Sequence, residues 1–412
     1  MNKLISLSLF LLFCCISVDL NAGQIRVKAG QSIQRGVDRA LPGDTVILES
    51  GHYPESGIVI RKSISLIGEN YPVLDGQGKG NVILVAGKDI LIEGLKIINT
   101  GKSNMEDSAG IKFFDSQDCI IRNNILEETF FGLHFSNSKR LTILGNTINA
   151  TSEREFEVGN GIHLWKCSYS VIANNQVSGH RDGIYLEFVT DSQAKENRIE
   201  RNMRYGLHFM FAHDNSYIRN TFRQNGAGVA VMYTKNVLMQ ENRFEENWGA
   251  SSYGILLKDI ADSKVIGNIF LKNTIGIYME GSSRIDFEEN TFQENGWALK
   301  LMASCDQNLF QANNFTNNTF DISTNGSVVL NTLTENYWDK YEGYDLDRDS
   351  LGDVPFRPIN LYSVIVEKIP ASVILWRSFM VNLLDKMEKI LPTLTPEDMM
   401  DESPKMKPYD FS

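Results

Sequence analysis

The chain is patterned in short bursts of alternation. Gly132-Leu133-His134-Phe135, Gly183-Ile184-Tyr185-Leu186 and Gly276-Ile277-Tyr278-Met279 each alternate candidate inward and outward positions. A period of two over a few residues predicts short strands with one buried face. The bursts recur at a fixed spacing. A Gly followed by an aliphatic residue stands at 110, 132, 161, 183, 206, 228, 254 and 276. An Asn follows each at an offset of 14 residues, at 124, 146, 175, 197, 220, 242, 268 and 290. An apolar residue stands two places after every Asn, from Leu126 and Ile148 to Phe270 and Phe292. Ala298 and Asn313 continue the unit of 22 or 23 residues, and Asn336 ends it.

A repeat of this length, with several short strands in each unit, predicts an all-β fold. The expected form is a right-handed parallel β-helix, a solenoid of about a dozen coils. The Leu-x-x-Leu-x-Leu pattern of leucine-rich repeats is missing. Asn and Gly are expected at tight corners, where left-handed backbone is required, and stacked Asn side chains can bond from coil to coil. Ile64–Gly68 and Ile90–Gly94 read as earlier, less regular coils, and Ile33–Leu41 as a short helix closing the N-terminal end.

The division is therefore residues 1–22 as a signal peptide, 23–340 as the solenoid, 341–360 as an acidic loop and 361–412 as a C-terminal helix and tail. Lys3 and the apolar run Leu4–Val18 make the export signal, with Leu20-Asn21-Ala22 as its cleavage site. Cys119, Cys167 and Cys305 remain after cleavage, too few for a disulfide framework. The net charge of −11 argues against a nucleic-acid binder, which would carry a basic stripe.

Two breaks in the period point to a functional edge. The Asn-to-Gly interval is normally 8 or 9 residues, but 15 between Asn146 and Gly161 and 12 between Asn242 and Gly254. Both insertions enter at one point of the coil, and Thr100–Ser108 is a candidate third. Loops gathered on one edge mark a binding face. On the Gly strands the residues between the aliphatic positions form two outward columns. One reads Lys112, His134, His163, Tyr185, His208, Ala230, Leu256, Tyr278, Lys300. The other reads Phe114, Ser136, Trp165, Glu187, Met210, Met232, Lys258, Glu280, Met302. Imidazole with thioether favours Cu(I) over hard ions, so His208, Met210 and Met232 are a candidate Cu(I) patch. A Met-lined surface for a partner protein is the other reading.

Many β-helices act on acidic polysaccharides, and a polysaccharide-binding or -modifying protein is the alternative function. Glycoside hydrolysis needs two carboxylates across one cleft. The outward candidates Glu187 and Glu280 lie four coils apart, roughly 19 Å at the spacing of neighbouring strands. No catalytic residue is expected. Beyond the repeat, Asp345, Asp347, Asp349 and Asp353 alternate as in a Ca²⁺ loop, although Ser350 and Phe356 stand where an EF-hand has Gly and Glu. Ser372–Leu391 reads as one helix with a wide apolar stripe that includes Trp376, Phe379, Met380 and Leu383. These four are candidate partner-binding residues. Its charges argue against a membrane span. Pro392–Ser412 reads as an extended tail.

The run Arg181-Asp182-Gly183-Ile184-Tyr185-Leu186-Glu187 and, one coil on, Arg204-Tyr205-Gly206-Leu207-His208-Phe209-Met210 closely resemble the NosD family. So do Ala230-Val231-Met232, Tyr253–Lys258 and Asn336-Tyr337-Trp338-Asp339 with Gly343-Tyr344-Asp345 and Gly352-Asp353. The resemblance spans nearly the whole mature chain. It implies a periplasmic β-helix that is an accessory factor and not an enzyme. It further implies work with an ABC transporter, the NosF ATPase and NosY permease, through which the chain would be membrane-associated. The NosL copper chaperone would be a partner, in assembling the copper–sulfide centre of nitrous-oxide reductase. Copper would then be the ion at issue, with Ca²⁺ as a separate structural ion.

Overall fold

The computed structural model describes residues 23–411, apart from 103–106, 153, 327–329 and 391–398. The expected signal peptide, part of the Thr100–Ser108 insertion and the start of the tail lie outside the described residues. The rest is a parallel β-solenoid. Each full coil supplies one strand to each of three sheets of 12, 14 and 13 strands, every neighbouring pair parallel. The Gly strands form the sheet of 12, as in Phe131–Ser136, Ile162–Trp165, Ile184–Glu187, Tyr205–Met210 and Ala227–Met232. Inward residues fill the coils in stacks. The positions two after each ladder Asn stack ring on ring, Phe222, Phe244, Phe270, Phe292, Phe315 and Trp338, at centroid spacings of 5.2, 4.8, 4.7, 4.8 and 4.1 Å. Offset aromatic stacking of this kind adds about 0.5–1.5 kcal/mol per pair beyond burial.

The Asn column is a buried hydrogen-bond ladder. Asn146 donates its backbone N–H and its Nδ2 to Asn175 Oδ1, at 2.9 and 3.0 Å, and its Nδ2 also reaches Ile121 O. The same pattern repeats up to Asn336. The backbone requirement differs from expectation. The left-handed residue is the one before each ladder Asn, for example Asn174, Glu196 and Arg219, with φ of 55, 55 and 53°. The Gly column answers a different demand. A Cβ on Gly183 would lie 2.6 Å from Gly206 O and 2.4 Å from Ile199 Cγ2, so the next coil's backbone excludes any side chain there. A second Asn ladder runs five residues after the first, through Asn202, Asn225, Asn247, Asn273, Asn295 and Asn318.

Both ends are closed. Helix α1 (Ile33–Arg39) covers the first coil with Ile33 and Val37 buried. Ser32 caps it, and Glu55 accepts from Ile33 N and Gln34 N. At the other end the single helix expected over Ser372–Leu391 is broken. Helix α2 (Leu361–Lys368) precedes a 3₁₀ turn at Pro370–Leu375, and helix α3 (Phe379–Ile390) follows. Arg377, with φ of 66°, makes the break, while Trp376 packs on Phe320 and Tyr362 in a small second core. The end of the chain is also not a free tail. Asp401 and Lys405 pair with Leu333 and Tyr337, and Met399 is buried. The last coil otherwise leaves its ladder donors and core edge open to water, and this segment covers them.

Candidate functional site

Strand register places the predicted columns side by side. Lys112, His134, His163, Tyr185, His208 and Ala230 are successive partners, and so are Ser136, Trp165, Glu187, Met210, Met232 and Lys258. Met210 and Met232 are direct partners on neighbouring coils, about 4.8 Å apart along the axis. Met302 drops out of the column, since it follows the end of its strand and is buried. The imidazoles are less open than outward alternation predicts. His134 and His208 are only 6% and 5% exposed, because ring packs on ring along the column. His134 lies 4.9 Å from His163, His163 4.8 Å from Tyr185, and Tyr185 4.5 Å from His208.

His208 has the surroundings of a metal ligand. Its Nδ1 lies 3.4 Å from Oδ2 of the buried Asp182. A proton on Nδ1, donated to that carboxylate, leaves the Nε2 lone pair free, as outer-sphere carboxylates do for metal-bound histidines. Nε2 is buried and has no partner. Arg204 Nε also lies 3.3 Å from Asp182, and its Nη1 is 3.7 Å from Glu155 on the longer insertion. The Tyr185 hydroxyl donates to Met210 Sδ at 3.4 Å, and burial beside Glu187 pushes this phenol up to about 12. Burial, with Lys112 nearby, lowers His134 to about 4, and burial holds His163 well below its ordinary value. Both imidazoles are therefore neutral at pH 7. The cysteines are not candidate ligands. All three are buried, and desolvation raises the Cys167 thiol to about 11.

Aromatic side chains frame this face on both sides. The insertions that lead into the Gly strands carry the exposed Phe156 and Trp248. Where the strands end, Phe188, Phe211 and Tyr233 directly follow Glu187, Met210 and Met232. They stack at 5.3 and 5.2 Å and stay partly exposed. Each holds left-handed backbone with φ of 53°, a conformation that costs a residue with a Cβ roughly 1–2 kcal/mol. Sequence reasoning missed this ladder, although it lies at a constant offset of one from the second column. Asp182 enters the sequence reading only as part of the run that resembles the NosD family, with no role of its own.

The remaining predicted residues separate. Register confirms four coils between Glu187 and Glu280, and Glu280 pairs with Lys258 at 3.6 Å. Oxygens of Asp345, Asp347 and Asp349 converge within 4.8 Å of one another. Asp353 turns aside to accept Leu346 N at 2.6 Å. Trp376, just after the 3₁₀ turn, faces the solenoid, whereas Phe379, Met380 and Leu383 on α3 are exposed, Phe379 at 81%. Among the described residues no helix is long and apolar enough to cross a membrane.

Three solved structures share the fold at low identity. The Dettilon tailspike protein aligns with a TM-score of 0.61 and 13% identity, over 75% of this chain and 70% of that one. The surface adhesin PfbA of Streptococcus pneumoniae gives 0.59 and 13%, over 71% and 88%. A Family 28 exopolygalacturonase of Yersinia enterocolitica gives 0.52 and 10%, over 79% of each. These likenesses extend to the solenoid alone. Sequence relatives are more specific. The chain is 27% identical over 380 residues to the "Probable ABC transporter binding protein NosD" of Stutzerimonas stutzeri, covering 87% of this chain and 86% of that protein. It is 31% identical over 138 residues to the protein of the same description from Pseudomonas aeruginosa, covering 33% and 32%. Residues 37–202 and 149–343 both match the family described as "Periplasmic copper-binding protein (NosD)", and the chain belongs to that family.

Proposed function

We propose that this protein is a periplasmic accessory factor that holds Cu(I) transiently on His208, Met210 and Met232 during assembly of the copper centre of nitrous-oxide reductase. The observation that carries the reading is the Asp182–His208 pair. It leaves a buried imidazole nitrogen unpartnered on the strand that also carries Met210, whose register partner on the next coil is Met232. A soft site built on a rigid sheet can receive copper from a chaperone of the NosL type and release it again, since few ligands are committed. The aromatic frame around it is the docking surface for that donor. Residues 1–22 export the chain. Phe379, Met380 and Leu383 dock it on an ABC transporter of the NosF and NosY type, in keeping with the description its relatives carry. Asp345, Asp347 and Asp349 hold a structural Ca²⁺, which would show as a melting temperature raised by CaCl₂ and lowered by chelator.

Anaerobic Cu(I) titration against a competing chelator tests the copper reading. The wild type is expected to bind one Cu(I) in this patch, and His208→Ala/Met210→Ala/Met232→Ala to lose it. Equal stoichiometry and affinity in the two proteins would reject the site.

A further inference from the structure

The chain leaves the last coil after Ile359 and returns to it at Met399, and both of these side chains are buried. Between them Trp376 packs on Phe320 and Tyr362. The 3₁₀ turn Pro370–Leu375 has no buried residue at all. Ile369, Val373, Ile374 and Leu375 are exposed together, Ile374 at 85%. Large aliphatic side chains gathered on a surface mark a contact with another apolar phase. Two observations say which phase. The first is that the turn satisfies its own polar groups. Ser372 is the one polar side chain from Ile369 to Leu375, and its hydroxyl donates to Ile369 O at 2.7 Å. Ser372 O accepts the Tyr362 hydroxyl at 2.7 Å. The backbone N–H groups of Ile369, Ser372 and Trp376 donate to the carbonyls of Ile365, Ile369 and Val373, and Pro370 has no N–H to satisfy. A lipid medium demands this, because it offers no hydrogen bonds in return. The second is charge. From 368 to 384 the ionisable side chains are Lys368 and Arg377, both cationic and both exposed, on a chain whose net charge is −11.

We propose that this turn is an anchor for the surface of an anionic lipid bilayer. Ile369, Val373, Ile374 and Leu375 enter the boundary between headgroups and acyl chains, and Lys368 and Arg377 lie among the headgroup phosphates. Insertion is shallow. Helices α2 and α3 have 8 and 12 residues, against about 20 for a span. The cationic flanks are local, so the acidic remainder of the chain is held off the same surface by repulsion. The proposal needs neither the copper site nor the transporter, whose docking is assigned to other side chains, Phe379, Met380 and Leu383.

The test is flotation of the full mature chain, without transporter, on vesicles of phosphatidylglycerol and phosphatidylethanolamine. The wild type is expected to float with these vesicles, and less with vesicles of phosphatidylcholine alone. Ile374→Ser/Leu375→Ser changes two exposed side chains, so the melting temperature is expected to hold while vesicle affinity falls at least about tenfold. Lys368→Gln/Arg377→Gln is expected to lose the preference for anionic vesicles. Equal flotation of the wild type and the serine variant overturns the proposal. A wild type that floats with no vesicle overturns it too. Co-purification with the transporter that is lost in the serine variant would then assign the turn to a protein partner, and self-association lost in that variant would assign it to a second copy of the chain. Transporter docking through α3 is read by co-purification and the lipid contact by flotation, so either can fail alone.

Discussion

Asp401 occupies the ladder position one coil beyond Asn336. Its Oδ2 accepts the backbone N–H and Nδ2 of Asn336, both at 3.0 Å, and Trp338 Nε1 at 3.0 Å. An acceptor-only carboxylate suits this place, where three buried donors converge on one oxygen. Asp401→Ala leaves the Asn336 backbone N–H and Trp338 Nε1 unpaired, at about 1–3 kcal/mol each before relaxation, while Asn336 Nδ2 keeps Phe310 O and Thr334 O. A loss near 3 kcal/mol in chemical denaturation is expected. Asp401→Asn keeps an acceptor and is expected to lose at most about 1 kcal/mol. Equal stability of the alanine variant and the wild type would show that the cap does not hold the last coil.

The cap dictates how the C-terminal helices must be tested. A chain ended at Pro370 would lose Asp401 with α3 and unfold the last coil for unrelated reasons. Point changes are cleaner. Phe379→Ser/Met380→Ser/Leu383→Ser alters only exposed side chains, so stability should stay within about 0.5 kcal/mol per site. Co-purification with the transporter is expected to be lost while Cu(I) binding stays as in the wild type. Retained co-purification would move the docking site elsewhere.

His180 stands one coil before the first Asn of the second ladder. Its backbone N–H donates to Asn202 Oδ1 at 3.1 Å, but both ring nitrogens are buried without partners. Burial lowers this imidazole to about 4, against roughly 6.5 in the unfolded chain. Between those values the unfolded state binds more protons, so stability falls as pH drops from 6.5 towards 4. The fall amounts to roughly 3 kcal/mol for this one group. His180→Asn would continue the ladder without a titrating ring. It should be more stable at pH 5, with a pH dependence flatter by up to about 1.4 kcal/mol per unit. Parallel curves for the two proteins between pH 6.5 and 4 would contradict this.

The fold was legible because inward and outward residues recur with one spacing. The Gly and Asn columns located every regular coil, and strand register reproduced the His and Met columns except at Met302. The physical role of the Gly column was not legible. Contact with the next coil's carbonyl and a positive φ select the same residue. Burial of His134 and His208 was also hidden, since alternation reports which way a side chain points and not what covers it. The break at Arg377 and the return of Asp401 depend on contacts with Phe320 and Asn336, far away in sequence. Local periodicity carries no trace of them.

The aromatic ladder supplies the last prediction. Phe188, Phe211 and Tyr233 each sit at φ of 53°, where glycine would relieve roughly 1–2 kcal/mol of strain. Their stacking returns about 0.5–1.5 kcal/mol per pair. These opposing effects nearly cancel, so Phe188→Gly, Phe211→Gly and Tyr233→Gly should each leave stability within about 1 kcal/mol of the wild type. These three partly exposed rings stand in one row beside Glu187, Met210 and Met232, and on the proposed function they serve as a binding surface. Phe211→Gly, the central change, is expected to weaken docking of the copper donor by at least about tenfold, as loss of a buried aromatic anchor does. Cu(I) affinity measured without the donor should stay the same. Surface plasmon resonance with the copper-loaded chaperone reads the first quantity and chelator competition the second. A variant that docks normally but melts much lower would show that these rings serve the fold instead.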